Sequence, residues 1–133
     1  LIVPVLEYVF LTRKNYIITL IGVLLVVIGI VVRGIAIKTL GEYFSSDVET
    51  WDNHSIVKVG IYKYIRHPAY SGNILQVIGF PLVLNSYLSL ILSAITIIVF
   101  IWRIHVEEKF LVKHHPEYKK YVAETKRILP KIW

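Results

Sequence analysis

The stretch "WRIHVEEKFLVKHHPEYKKY" places Arg103 and Glu107 four residues apart, with Glu108 beside them. Residues at that spacing share a helix face. The plainest reading is a self-satisfied surface ion pair, worth about 0–1 kcal/mol. A chemical reading is also open, since an arginine presents a planar fork that matches a carboxylate and Glu108 is a candidate base for an amine. A second cluster, "GIYKYIRHPAYSG" at residues 60–72, packs Tyr62, Lys63, Tyr64, Arg66, His67 and Tyr70 around Gly60, Pro68 and Gly72. Gly60 permits a turn, and Pro68 forces His67 out of the helical region and can itself start a helix. The N–H groups opening such a helix suit an anion such as a carboxylate. Alone, this cluster also reads as an aromatic and basic belt at a membrane surface. His105, His114 and His115 have no spacing that makes a metal-ligand set, so no metal is expected.

The elements that must position these residues are apolar. The chain has 133 residues, 56% of them hydrophobic, with a mean hydropathy of +0.62. Soluble domains run at about 45–50% apolar, so the composition points to a membrane protein. No cysteine is present, which excludes a disulfide framework and thiolate metal sites. The sequence lacks methionine and opens inside "LIVPVLEYVFL", which predicts a processed or truncated product with a span upstream. A bilayer core of ~30 Å needs about 20 helical residues, and the sequence predicts spans at about 16–37, 70–84 and 88–105. A cleavable signal does not fit the first, whose apolar part is too long and has no small-residue cleavage site after it. Asn85-Ser86-Tyr87 can form the turn of a helical hairpin between the last two. The expected fold is all-α: a polytopic membrane helix bundle, one domain over 1–133, with a hairpin and a cytoplasm-facing cofactor pocket.

Charge orients the bundle. Residues 38–68 hold four Lys/Arg and residues 103–133 hold eight, whereas the hairpin turn holds none and only Arg13 and Lys14 precede the first clear span. Lys and Arg are retained in the cytoplasm, so the 38–68 segment and the C-terminus are expected there together. The net charge of +6 then reads as topology and attraction to anionic lipid, and nothing resembles a base-reading nucleic-acid module. A hairpin with both ends on one membrane face must bring Arg103–Glu108 beside Pro68–Gly72. That convergence of an arginine, two glutamates, a histidine and tyrosines says more than either cluster alone.

Asn73 and Gln76, at i and i+3, should face the bundle, since amides are unfavourable in lipid. They can line a pocket or simply join helices. After Pro116 the pattern predicts an amphipathic helix, in which Tyr118, Tyr121, Val122 and Ile128 alternate with Lys119, Lys120, Lys126 and Arg127. Such a helix can lie on the membrane surface and cover a site from the cytoplasm.

Taken together, "HSIVKVGIYKYIRHPAYSG", "WRIHVEE" and "PEYKKYVAETKRILP" resemble the C-terminal core of the isoprenylcysteine carboxyl methyltransferases, to which membrane phospholipid N-methyltransferases are related. The likeness covers roughly residues 40–130. It implies an integral, multi-pass methyltransferase whose S-adenosylmethionine site faces the cytoplasm. By the same resemblance His54, Ser55, Ile56 and Val57, then Tyr62, then His67, Pro68, Ala69 and Tyr70, then Glu107, bind the cofactor. Arg103 orients the acceptor carboxylate. His115-Pro116 stands where relatives often have Phe-Gly, and His114 where several have arginine.

The implied acceptor is lipophilic, most simply the carboxylate of an isoprenylcysteine-like or lipidated substrate reached from membrane lipid. A carboxylate is ionised at pH 7 and needs no general base. An amine acceptor, as in phospholipid N-methylation, must lose a proton, and Glu108 is then the candidate base. A sterol-type reductase using a nicotinamide and a non-catalytic membrane module are the competing readings. Oligomeric state is not legible in the sequence.

Overall fold

The structure, a computed structural model, describes residues 2–10, 14–41 and 56–130. It is helical: α1 (Ile2–Phe10), α2 (Tyr16–Leu40), a 3-10 turn (Gly60–Lys63), α3 (Pro68–Val83), α4 (Tyr87–His114) and α5 (Tyr118–Glu124). Helices α2 and α4 are long and apolar enough to cross a membrane. At 1.5 Å per residue, α3 with its 16 residues reaches only about 24 Å. Helix α4, with 28, runs about 42 Å and must project its last turns beyond a ~30 Å core. The outward residues of α2 and α4, such as Leu24, Val27, Ile91, Ile98 and Trp102, are exposed, as lipid-facing residues should be.

Helix α2 begins where the Asn15 side chain accepts from the N–H groups of Ile17 and Ile18 at 3.0 and 3.3 Å, an N-cap that fills two of the orphan donors. It ends at Gly41, whose φ of 56° is open to glycine. Helix α3 lies antiparallel against α2 through two glycine pairs. A Cβ on Gly29 would stand 2.6 Å from the Gly72 carbonyl oxygen, and one on Gly79 2.9 Å from that of Gly22. The helices therefore meet backbone to backbone, the small-residue packing that replaces the hydrophobic effect inside lipid.

Helices α3 and α4 form the expected hairpin. Its turn uses Asn85 at φ 52°, a conformation asparagine tolerates better than most residues. The buried Asn85 side chain accepts from the Asn15 N–H at 2.9 Å and donates to Thr19 Oγ1 at 2.7 Å, fixing the turn to the start of α2. Glu7 of α1 accepts from the N–H groups of Tyr87 and Leu88 at 2.9 and 3.2 Å and from the Ser86 hydroxyl. It thereby caps α4 from a different helix. Inside α3, Pro81 has no N–H to give the Val77 carbonyl. The Ser93 hydroxyl of α4 lies 2.7 Å from that carbonyl oxygen and 2.9 Å from the Ser89 carbonyl, and the shorter contact supplies the missing donor.

The amphipathic segment after Pro116 is divided more finely than its pattern predicts. Helix α5 stops at Glu124, because Thr125 turns extended and Lys126–Ile128 pair with the chain entering α3. Arg66 and His67 donate their N–H groups to the carbonyls of Lys126 and Arg127 at 2.8 and 2.9 Å, and the Lys126 N–H donates to Tyr64 at 3.1 Å. Ile65 and Lys126 thus form a parallel bridge. The Ser71 hydroxyl adds a bond to the Ile128 carbonyl at 2.8 Å. Tyr118, Tyr121 and Ile128 are buried beneath this clasp.

Candidate functional site

The clasp determines where the polar residues point. Pro68 is the first residue of α3, so the His67 backbone lies outside the helix. The N–H groups of Ala69 and Tyr70, in the first turn, meet no acceptor among the described residues, as the first donors of a helix commonly do not. Across from this turn runs the last part of α4, where adjacent glutamates diverge by about 100° around the helix axis.

Glu107 faces Tyr70. The Tyr70 hydroxyl donates to Glu107 Oε2 at 3.3 Å, and Arg103 lies near enough to act on the same hydroxyl. The Tyr70 ring meets Phe100 edge-on with centroids 5.8 Å apart. Tyr62 in the 3-10 turn is buried. Burial, then the charges of Tyr121 and Glu107, push its hydroxyl up from the ordinary phenol value. The structure thus brings Tyr62, Tyr70, Arg103 and Glu107 into one neighbourhood at the end of the hairpin. Arg103 is exposed and Glu107 half-buried, so this group opens outward.

Glu108 faces the other way and is buried. Its Oε1 accepts from Arg66 Nε at 2.7 Å and lies 3.3 Å from His67 Nε2, and its Oε2 accepts from Arg127 Nε at 2.8 Å. Arg66 is also buried, with Nη1 donating to the carbonyl oxygens of Val122 and Thr125. Both carboxylate oxygens of Glu108 are therefore taken by cations that belong to the clasp. A buried carboxylate tolerates its desolvation only with such pairing. His67 sits with this group, its ring edge-on to Tyr70 at 5.8 Å.

The remaining expected site residues are placed less tightly. Pro68 is buried and Ala69 half-buried in the first turn of α3. Ile56 and Val57 are half-buried at the start of the segment leading to the 3-10 turn, and His54 and Ser55 lie outside the described residues. His114 is exposed, stacked on Phe110 at 4.2 Å with Nδ1 2.8 Å from the Phe110 carbonyl. Sequence reading placed Arg66 in a polar cluster and Tyr121 and Arg127 in the amphipathic helix but gave them no site role. Arg66 had a signal, since it precedes the His-Pro pair, but its partner lies 42 residues away. Tyr121 donates to the Tyr62 carbonyl at 2.6 Å. Burial pushes its hydroxyl up to about 12, so it remains a neutral donor.

Chemically, the outward group combines free first-turn amides, a carboxylate, aromatic faces and an arginine fork. Such a group can bind an anion and a cation side by side at the edge of an apolar bundle.

A model of the isoprenylcysteine carboxyl methyltransferase (ICMT) family matches residues 17–113. The chain is 39% identical over 112 residues to the protein-S-isoprenylcysteine O-methyltransferase of Saccharomyces cerevisiae, covering 79% of this chain and 47% of that one. It is 33% identical over 129 residues to the enzyme of the same name from Dictyostelium discoideum, covering 86% and 52%. Its fold superimposes with a TM-score of 0.84 and 27% identity on a structure of the eukaryotic intramembrane Ras methyltransferase ICMT, over 98% of this chain and 49% of that one. The chain thus spans about half the length of these relatives. The matched region runs from α2 through the hairpin to the glutamate pair, and on that extent of likeness the chain belongs to the isoprenylcysteine carboxyl methyltransferase family.

Proposed function

We propose that the chain carries the catalytic end of an integral, multi-pass methyltransferase that moves a methyl group from S-adenosylmethionine to the carboxylate of an isoprenylcysteine-like acceptor. The observation that carries this reading is the Arg103–Tyr70–Glu107 group beside the open first turn of α3. The residues present fit the cofactor. The amides of Ala69 and Tyr70 suit its carboxylate, Glu107 suits its ammonium or ribose hydroxyls, and tyrosine faces suit its sulfonium. His54, Ser55, Ile56, Val57, His67 and Pro68 belong to the same proposal, His67 by setting the direction of the turn. When bound, S-adenosylmethionine supplies an electrophilic methyl group.

Arg103 would hold the acceptor carboxylate in a two-pronged grip and orient one of its oxygens for attack. Alignment of this kind supplies much of the rate in a displacement that needs little else. The carboxylate is already an anion, so no proton has to be removed. This leaves Glu108 free to anchor the clasp, as its two arginine partners favour. Activation of an amine would instead require it to leave those partners. A water-facing cofactor site at the end of an apolar bundle lets the acceptor arrive sideways from the bilayer, with residues 56–68 and the C-terminal segment in the cytoplasm. Methyl transfer from labelled cofactor to N-acetyl-S-farnesylcysteine, with phosphatidylethanolamine as the competing acceptor, tests the reading. Transfer to the first alone is expected; transfer to the amine lipid alone overturns the carboxylate assignment.

A further inference from the structure

Arg33 lies inside the apolar run of α2, where a charge is costly and a partner is expected. Its Nη1 donates to Asn73 Oδ1 at 2.6 Å. A guanidinium has five N–H donors, and no carboxylate among the described residues forms an ion pair with Arg33. A neutral amide satisfies one donor and none of the charge. The position is built, not incidental. Gly22 faces Gly79 and Gly29 faces Gly72, and this register sets Arg33 level with Pro68. A Cβ on Gly72 would meet the Arg33 Cβ at 2.8 Å, so the arginine is pressed against the start of α3.

Asn73 follows Tyr70 by three residues, a neighbouring position on α3 about 4.5 Å deeper along the axis. Tyr70 carries the Arg103 and Glu107 contacts. The Arg33 backbone is level with Pro68, but its head reaches back to Asn73, so α3 presents two cationic stations in sequence: the Arg33 head with Asn73 on the bilayer side, then Arg103 with Tyr70 at the exit. We infer that Arg33 and Asn73 form a separate subsite for the anionic head of a lipophilic acceptor, gripping it as it leaves the bilayer. This rests on the carboxylate-acceptor reading given above. Asn73 fixes the fork, and its spare donors face the acceptor oxygen, making Arg33 a residue that selects an anionic head over a neutral one.

The test is binding of N-acetyl-S-farnesylcysteine and of its methyl ester to the full chain in phosphatidylcholine nanodiscs. Wild type should favour the acid by about 10-fold or more, the factor one good charged contact supplies. R33Q should lower that preference several-fold, with Arg103 holding the remainder, R33K should keep more of it, and S-adenosylhomocysteine affinity should be unchanged in both. An acid preference in R33K and R33Q equal to wild type overturns the subsite, as does a wild type that does not distinguish acid from ester. Phosphatidylglycerol that abolishes acid binding in wild type but not in R33Q would assign Arg33 to lipid phosphate and overturn the acceptor role. Acid preference that depends on Arg33 without any methyl transfer would leave the subsite standing and remove the catalytic reading.

Discussion

At the scale of single residues, the adjacent glutamates divide two tasks that the sequence presents as one motif. Glu107 is half-buried and bonded to Tyr70, while Glu108 is buried among Arg66, His67 and Arg127. Removing one member of a buried ionic group strands the others, at about 3–5 kcal/mol. Glu108→Gln should therefore lower the unfolding midpoint in mild detergent by several degrees. Glu107→Gln should leave stability nearly unchanged and weaken S-adenosylhomocysteine binding about 10-fold to 100-fold, the loss of one charge-assisted contact. Equal thermal effects in the two variants would contradict the division. Arg103→Lys keeps the charge but loses the fork; it should preserve cofactor affinity while methyl transfer to a prenylcysteine analogue falls about 10-fold, a loss of ~1.4 kcal/mol in positioning. Full activity in that variant would end the carboxylate-holding role. The spacing of Arg103 and Glu107 was legible because it is local to one helix. The partners of Glu108 were not, since Arg127 reaches it only through a chain reversal after Thr125.

At the scale of elements, hydropathy located the helices, but their contacts depend on pairs that no single segment reveals. Runs of apolar residues marked α2 and α4, and Pro68 marked the start of α3. The facing glycines gave no such signal, because a glycine's role in close approach is defined by the backbone opposite. A Cβ at Gly29 would press on the Gly72 oxygen at 2.6 Å, so Gly29→Ala should force α2 and α3 apart at a cost of about 1–3 kcal/mol. The same variant should loosen the Arg33–Asn73 bond, which rides on that register. Ser93→Ala should cost about 1–3 kcal/mol by leaving the Val77 carbonyl without a donor. Replacing Pro81 by alanine in the same chain restores an N–H to that carbonyl and should recover part of the loss. A double mutant no more stable than Ser93→Ala would show that the two helices are not coupled through this oxygen.

At the scale of the whole molecule, the bundle has a nearly neutral end and a strongly charged end. The hairpin turn at Asn85 and Ser86 is tied to α1 and α2 by neutral groups and one glutamate. The opposite end collects Arg66, Arg103, Glu107, Glu108 and Arg127, with Lys119, Lys120 and Lys126 exposed around them. Retention of Lys and Arg on the cytoplasmic side then predicts that α5 and the hairpin turn lie across the membrane from each other. The chain has no cysteine of its own, so two single-cysteine variants test this cleanly. Tyr87→Cys replaces an exposed residue just after the turn, and Lys120→Cys an exposed residue of α5. Neither side chain makes a bond that holds the site. In sealed inverted vesicles a membrane-impermeant maleimide should label position 120 without detergent and position 87 only after the bilayer is dissolved. Labelling of both from the same side would mean that α4 does not cross, and the site could not then draw its acceptor sideways out of the lipid.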